Sequence, residues 1–256
     1  MISKNADWDK IWTKKFEYTN LSDWAADIFV NIYLLLKDLE NPKILSAGCG
    51  RGLIDYWLIR VFGYKIVLLD NSLKCIKNLK KAFKSVDKNN FKLCHTSILN
   101  IPYPDNSFDL VWNEGVLEHF CKDDYEKAIK EMVRVSKKYI LIDVPYAKSK
   151  PYLMAKKYLE ENGLWVWGYE DPKVSLKNAL KPHGVEVLRE VPIGSVQTNR
   201  NYIDMVPPDK RGQILKCLNQ DDFKVFPHLM TIGEKKLDCL NNIFTKGAAN
   251  VHFKKT

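Results

Sequence analysis

The hydrophobic pattern changes period along the chain. Through about residue 40, apolar residues recur at helical spacing: Trp8, Ile11 and Trp12 form one edge, and Trp24, Ile28, Ile32, Leu35 and Leu39 another. Asn41 and Pro42 break that pattern. Short apolar runs bounded by turn residues follow, at 43–47, 65–70, 91–96, 108–113, 139–144, 185–191 and 228–233, and these read as strands. Between them, Leu53 to Phe62 reads as a helix ended by Gly63. Asn71 or Ser72 is placed to cap a helix whose apolar face is Leu73, Ile76, Leu79, Phe83 and Val86. Asp123 or Asp124 is placed to cap another, carrying Tyr125, Ala128, Ile129, Met132 and Val133. Strands alternating with helices predict the α/β class: a doubly wound, seven-stranded, mostly parallel sheet covered by helices on both faces.

One domain is expected from 256 residues. Residues 1–42 form a helical cap, 43–193 and 227–236 the core, 194–226 an insertion and 237–256 a tail. Residues 146–184 also exceed the minimal pattern and carry the aromatic run LWVWGY at 164–169. The first residues lack the layout of a signal peptide, and no apolar run approaches the ~18 residues needed to cross a membrane. Six scattered cysteines without a C-x-x-C pair favour free thiols in a reducing compartment, so a cytoplasmic location is expected, without a disulfide framework or a zinc site. The net charge of +9 comes from 34 lysines and only six arginines. Arginine supplies the bidentate grip on phosphate, so the excess reads as a solvated lysine-rich exterior, with an RNA partner as the alternative.

The chemistry is concentrated at residues 43–52, KILSAGCGRG, with Asp70 closing the next strand. Glycines at 48, 50 and 52 allow a tight turn and close approach of backbone to a ligand. The following helix offers free N–H groups, and a carboxylate at the end of the second strand lies where a ribose would bind. The dinucleotide fingerprint G-x-G-x-x-G would need glycine at position 53, which is Leu53, and no P-loop lysine follows the turn.

The G-x-G-x-G turn with its acidic partner strand resembles the first motif of class I S-adenosylmethionine-dependent methyltransferases. The run ILNIPYPDNSFDLVW at 98–112 is similar to the segment leading into strand four in their small-molecule, type 11-like group. NEGVLEHF at 113–120 resembles the segment that closes that strand. The resemblance spans roughly residues 43–145. It implies a Rossmann-like methyltransferase fold, S-adenosyl-L-methionine as cofactor with S-adenosyl-L-homocysteine as product, and transfer of a methyl group to an O, N or C atom of a small molecule. An RNA methyltransferase or a non-catalytic partner protein of the same fold are the alternatives.

Carried over position by position, the resemblance implies that Ser46, Gly48, Cys49, Gly50 and Gly52 surround the methionine part of the cofactor. Asp70 and Asn71 would meet the ribose, Ser97 and Ile98 the adenine, and Asn113 the methionine end. Relatives commonly have an acidic residue where this chain has Ser46, and many have Asp where it has Ser97; Glu114 is a candidate replacement for the first. His119 is the candidate base, and the acceptor pocket would be lined by Tyr146, Trp165, Trp167 and Tyr169. Some relatives bind a metal through the Glu-His pair, but Glu114 is displaced by one residue from that pattern, and no metal is predicted.

Overall fold

The computed structural model describes residues 6–18 and 20–236. The expected tail lies outside the described residues, as do residues 1–5 of the expected cap. The strands are β1 (Lys43–Ala47), β2 (Lys65–Asp70), β3 (Phe91–His95), β4 (Phe108–Glu114), β5 (Ser136–Pro145), β6 (Val185–Ile193) and β7 (His228–Lys235). They form one seven-stranded sheet in the order β3-β2-β1-β4-β5-β7-β6. All neighbours pair in parallel except β7, which runs antiparallel to both β5 and β6. The expected α/β sheet is therefore present, mostly parallel and seven-stranded.

Helix α1 (Trp8–Ile11) is a single turn and α2 (Asp23–Leu36) a longer helix; they are followed by α3 (Leu53–Phe62), α4 (Leu73–Ala82) and α5 (Lys122–Val135). Beyond β5 come α6 (Lys150–Glu161) and α7 (Lys177–Leu180), and between β6 and β7 lie α8 (Val196–Asp204) and α9 (Pro208–Leu215). Helix α3 has the bounds expected from the sequence, because Gly52 and Gly63 both take left-handed backbone at its two ends. Ser72 caps α4 by accepting the Cys75 N–H. Neither aspartate caps α5: Cys121 holds that position without a side-chain bond, and Asp123 and Asp124 lie in the first turn, where they meet the positive end of the helix dipole.

Strand alternation sorts the core into two layers. Ile44, Leu110, Leu141 and Ile232 point to the face covered by α2, α3 and α4. Leu45, Val111, Ile140 and Ile142 point to the face covered by α5 and α7. A third apolar cluster, with Ala155, Leu159, Ile203 and Ile214, joins α6, α8 and α9 beyond the sheet's C-terminal edge. Strand order reverses between β1 and β4, and a crevice opens at the carboxyl ends of those strands, as in other doubly wound sheets.

Candidate active site

The turn after β1 is fastened to β2 through backbone and side chain alike. The N–H groups of Gly48 and Cys49 both donate to the Leu69 carbonyl, at 2.7 and 2.9 Å. The Gly50 N–H donates to Asp70 Oδ2 at 3.0 Å, and the Ser72 N–H to Oδ1 at 2.9 Å. Each carboxylate oxygen therefore keeps a lone pair for a further donor. Burial pushes the Asp70 carboxyl up from its ordinary pKa, and the two N–H bonds oppose that shift. Gly48 and Gly52 are required by space as well as by their positive φ. A Cβ on Gly48 would lie 2.6 Å from Val116, and one on Gly52 would lie 2.8 Å from Leu68. Gly52→Ala is expected to lower stability by on the order of 2 kcal/mol. A urea unfolding midpoint unchanged from wild type would refute that.

These groups line a cleft of about 700 Å³. The structure brings Ser46, Gly48, Cys49, Gly50, Gly52, Asp70, Asn71, Ser97 and Ile98 together around it with His119, Trp165, Trp167 and Tyr169. Two predicted residues do not line it. Asn113 lies between Trp112 and Glu114, which do, so strand alternation turns it to the opposite face of the sheet. There its amide donates to Met132 Sδ of α5. Tyr146 packs on the same apolar layer as α5 and is absent from the cleft lining.

Trp8 and Trp12 cover the cleft from α1. A Cβ on Gly50 would come within 3.2 Å of the Trp12 ring, and Trp8 meets His119 edge-on at 4.9 Å. Asp9 fixes α1 in place by accepting the Ser72 hydroxyl and the Lys74 N–H. Six of the seven tryptophans line the cleft, so its walls are largely aromatic.

Asp55, Asp143 and His228 escaped the sequence reading. Asp55, in the first turn of α3, is 1% exposed and accepts the Ser46 hydroxyl at 2.9 Å, while its Oδ1 has no hydrogen-bond partner. Burial raises its pKa to about 7, the Ser46 bond opposing. Burial likewise raises Glu114 to about 8, helped by the Asp143 and Asp55 charges. His119 Nδ1 donates to the Tyr169 carbonyl at 2.8 Å, and the Asp171 N–H donates to the Glu118 carbonyl at the same distance. The aromatic 164–171 loop is thereby tied to the Glu118-His119 pair. Asp143 at the end of β5 holds His228 Nδ1 at 2.9 Å, and the His228 ring stacks on Trp24. Partners this far apart in sequence leave no local signal; only the β5–β7 pairing joins the last two.

Residues 45–139 match the methyltransferase domain family. The chain carries a class I S-adenosylmethionine-dependent methyltransferase domain. Along it, an uncharacterized protein of Methanocaldococcus jannaschii is 42% identical over 113 residues, 43% of this chain and 44% of that protein. Norajmaline N-methyltransferase of Rauvolfia serpentina is 35% identical over 112 residues, 42% of this chain and 36% of that one. The chain thus matches less than half the length of these relatives. In fold, magnesium protoporphyrin IX methyltransferase of Synechocystis, solved with S-adenosylhomocysteine, superposes with a TM-score of 0.60 at 13% identity, covering 90% of this chain and 92% of that one.

The methyltransferase domain's residues fit the methyl-donor nucleoside on their own geometry. Asp70 presents two acceptor oxygens at the strand end, suited to a vicinal diol. The Asp55 oxygen without a hydrogen bond faces the same cleft, and an ammonium group bound there would stabilise the ionised form of this carboxyl. Ser46 stands where an acid was expected from the family pattern, and its hydroxyl instead positions that carboxylate.

Proposed function

We propose that this protein transfers a methyl group from S-adenosylmethionine to a small molecule. The observation that carries the reading is Asp70, clamped by two backbone N–H bonds beside a glycine turn at the point where strand order reverses. Asp70 holds the ribose hydroxyls, Asn71 lies beside them, and Ser97 and Ile98 flank the adenine. Asp55, steadied by Ser46, holds the ammonium group, with Glu114 nearby. The cofactor supplies a methyl carbon made electrophilic by its positively charged sulfur.

The chain's own part is alignment and exclusion of water, which the tryptophan walls and α1 provide. His119 is the proton acceptor. Its Nδ1 carries the proton given to Tyr169, which leaves Nε2 as the basic nitrogen, 3.7 Å from Glu118 Oε1. Burial lowers the pKa of this imidazole, so it is neutral and ready to accept a proton near neutrality. His228 is less free: Nδ1 meets Asp143, and Nε2 lies 3.4 Å from the Tyr202 hydroxyl.

Although the chain is basic overall, six carboxylates and a single arginine, Arg51, line the cleft, with no lysine among the described residues. A phosphate backbone would find a single cationic side chain there, Arg51, which supports a small molecule over RNA. Among the described residues no helix is long and apolar enough to cross a membrane.

The test is calorimetry with S-adenosylmethionine and S-adenosylhomocysteine, followed by transfer of a labelled methyl group to candidate acceptors. Absence of binding at millimolar cofactor would overturn the reading. Asp55→Asn is expected to weaken S-adenosylhomocysteine about tenfold or more, the loss of one charge-assisted bond. It also changes the pH dependence of the apoprotein. A carboxyl raised to about 7 keeps its proton in the folded state while the unfolded chain releases it, so its contribution is full below about pH 4 and falls as pH rises to about 7. Removing it should lessen that fall by up to about 1.4 kcal/mol per pH unit, read from urea unfolding across the range. Equal slopes in the two proteins would refute the assignment.

A further inference from the structure

Three of the cleft's carboxylates are left over once the nucleoside is accounted for: Asp124, in the first turn of α5, and the pair Glu118 and Glu170. Glu118 is 2% exposed, and its Oε2 has no hydrogen-bond partner. Glu170, in the aromatic loop, takes one bond, from the Tyr152 hydroxyl. A ligand oxygen of each, with His119, lies within 4.8 Å of the others. Lys156, whose charge acts on Glu170, is already committed: it pairs with Glu160 and lies over the Trp165 ring at 5.3 Å. Trp165 and Trp167 meet edge to face at 4.8 Å beside this acidic corner, and both line the cleft.

An orphaned buried carboxylate oxygen is costly unless something positive faces it. Indole faces attract cations as well. Phenols or alcohols would offer the oxygen a single O–H donor but no opposing charge, and carboxylates would add to the cost.

Resting on the methyl-transfer reading above, we propose that the acceptor is an amine, bound as its ammonium form between Glu118 and Glu170 against the Trp165 and Trp167 rings. One ammonium proton passes to His119 Nε2. The freed nitrogen lone pair forms the new C–N bond as the methyl carbon's bond to sulfur breaks. The bonding pair stays on sulfur, leaving a neutral thioether and a methylated ammonium. Burial and the neighbouring Glu170 charge raise the Glu118 pKa, as expected of a carboxylate that lacks its counter-charge.

The experiment is calorimetric titration of the protein saturated with S-adenosylhomocysteine, using three ligands of one shape: tryptamine, its alcohol tryptophol, and indole-3-acetate. Tryptamine is expected to bind at least about tenfold more tightly than the other two, matching one charge-assisted contact. Glu118→Gln and Glu170→Gln, nearly isosteric, should each erase most of that preference while S-adenosylhomocysteine affinity stays within about twofold. The wild-type comparison stands even if a variant fails to fold. Equal or tighter binding of tryptophol or indole-3-acetate, or no binding of any of the three, overturns the amine assignment alone. So does elemental analysis finding one divalent ion per chain that is lost in Glu170→Gln, because the corner would then be a metal site. Failure to bind S-adenosylhomocysteine in the first place counts against the methyl-transfer reading instead.

Discussion

Asp70→Ala is expected to weaken S-adenosylhomocysteine binding by on the order of 10² to 10⁴-fold. Two ribose hydroxyls lose a charged acceptor, and each such bond contributes about 1.5–3 kcal/mol. The substitution also strips the acceptor from the Gly50 and Ser72 N–H groups, which lie 3.0 and 2.9 Å from the two carboxylate oxygens. The turn keeps its other anchors, the Gly48 and Cys49 bonds to the Leu69 carbonyl, so the fold should survive. Calorimetry gives the affinity, and circular dichroism with a thermal melt shows whether the protein is intact. Asp70→Asn retains one acceptor oxygen and should fall between wild type and alanine. A folded Asp70→Ala protein that binds S-adenosylhomocysteine as wild type does would remove the ribose from this strand end.

His119→Ala should lower turnover by about 10² or more while leaving S-adenosylhomocysteine affinity within about twofold, the signature of a lost proton acceptor. Alanine also removes the bond to Tyr169 and the Trp8 ring contact, so a loosened loop would mimic the effect. His119→Asn separates the two causes. Its amide N–H can still donate to the Tyr169 carbonyl, but no basic nitrogen remains. Turnover as low in asparagine as in alanine assigns the loss to Nε2, whereas recovery in asparagine makes His119 a positioning residue. The pH profile gives an independent reading. Burial lowers the pKa of this imidazole, so wild-type turnover should hold its plateau to below the ordinary histidine value and then fall with acid. That acid limb should be missing in His119→Asn.

The sequence by itself determined the parts with local signatures. Short apolar runs bounded by turn residues placed all seven strands, because buried strands write their burial into adjacent residues. Glycines at 48, 50 and 52 and an acid at 70 marked the ligand-facing turn, because positive φ and a strand-end carboxylate each need particular residue types. Asn113 shows the limit of reading by proximity to a motif: its neighbours line the cleft, and alternation alone turns its side chain away. Tertiary structure decided the charges. Whether a carboxylate has a partner depends on groups far apart in the chain. Ser46 reaches Asp55 across the turn, Asp143 reaches His228 across the β5–β7 pairing, and Glu170 arrives beside Glu118 only because the aromatic loop folds back onto His119. A chain that is basic as a whole thus encloses an acidic cleft, since net charge is a sum over residues and the field in a crevice depends on which of them the fold gathers there.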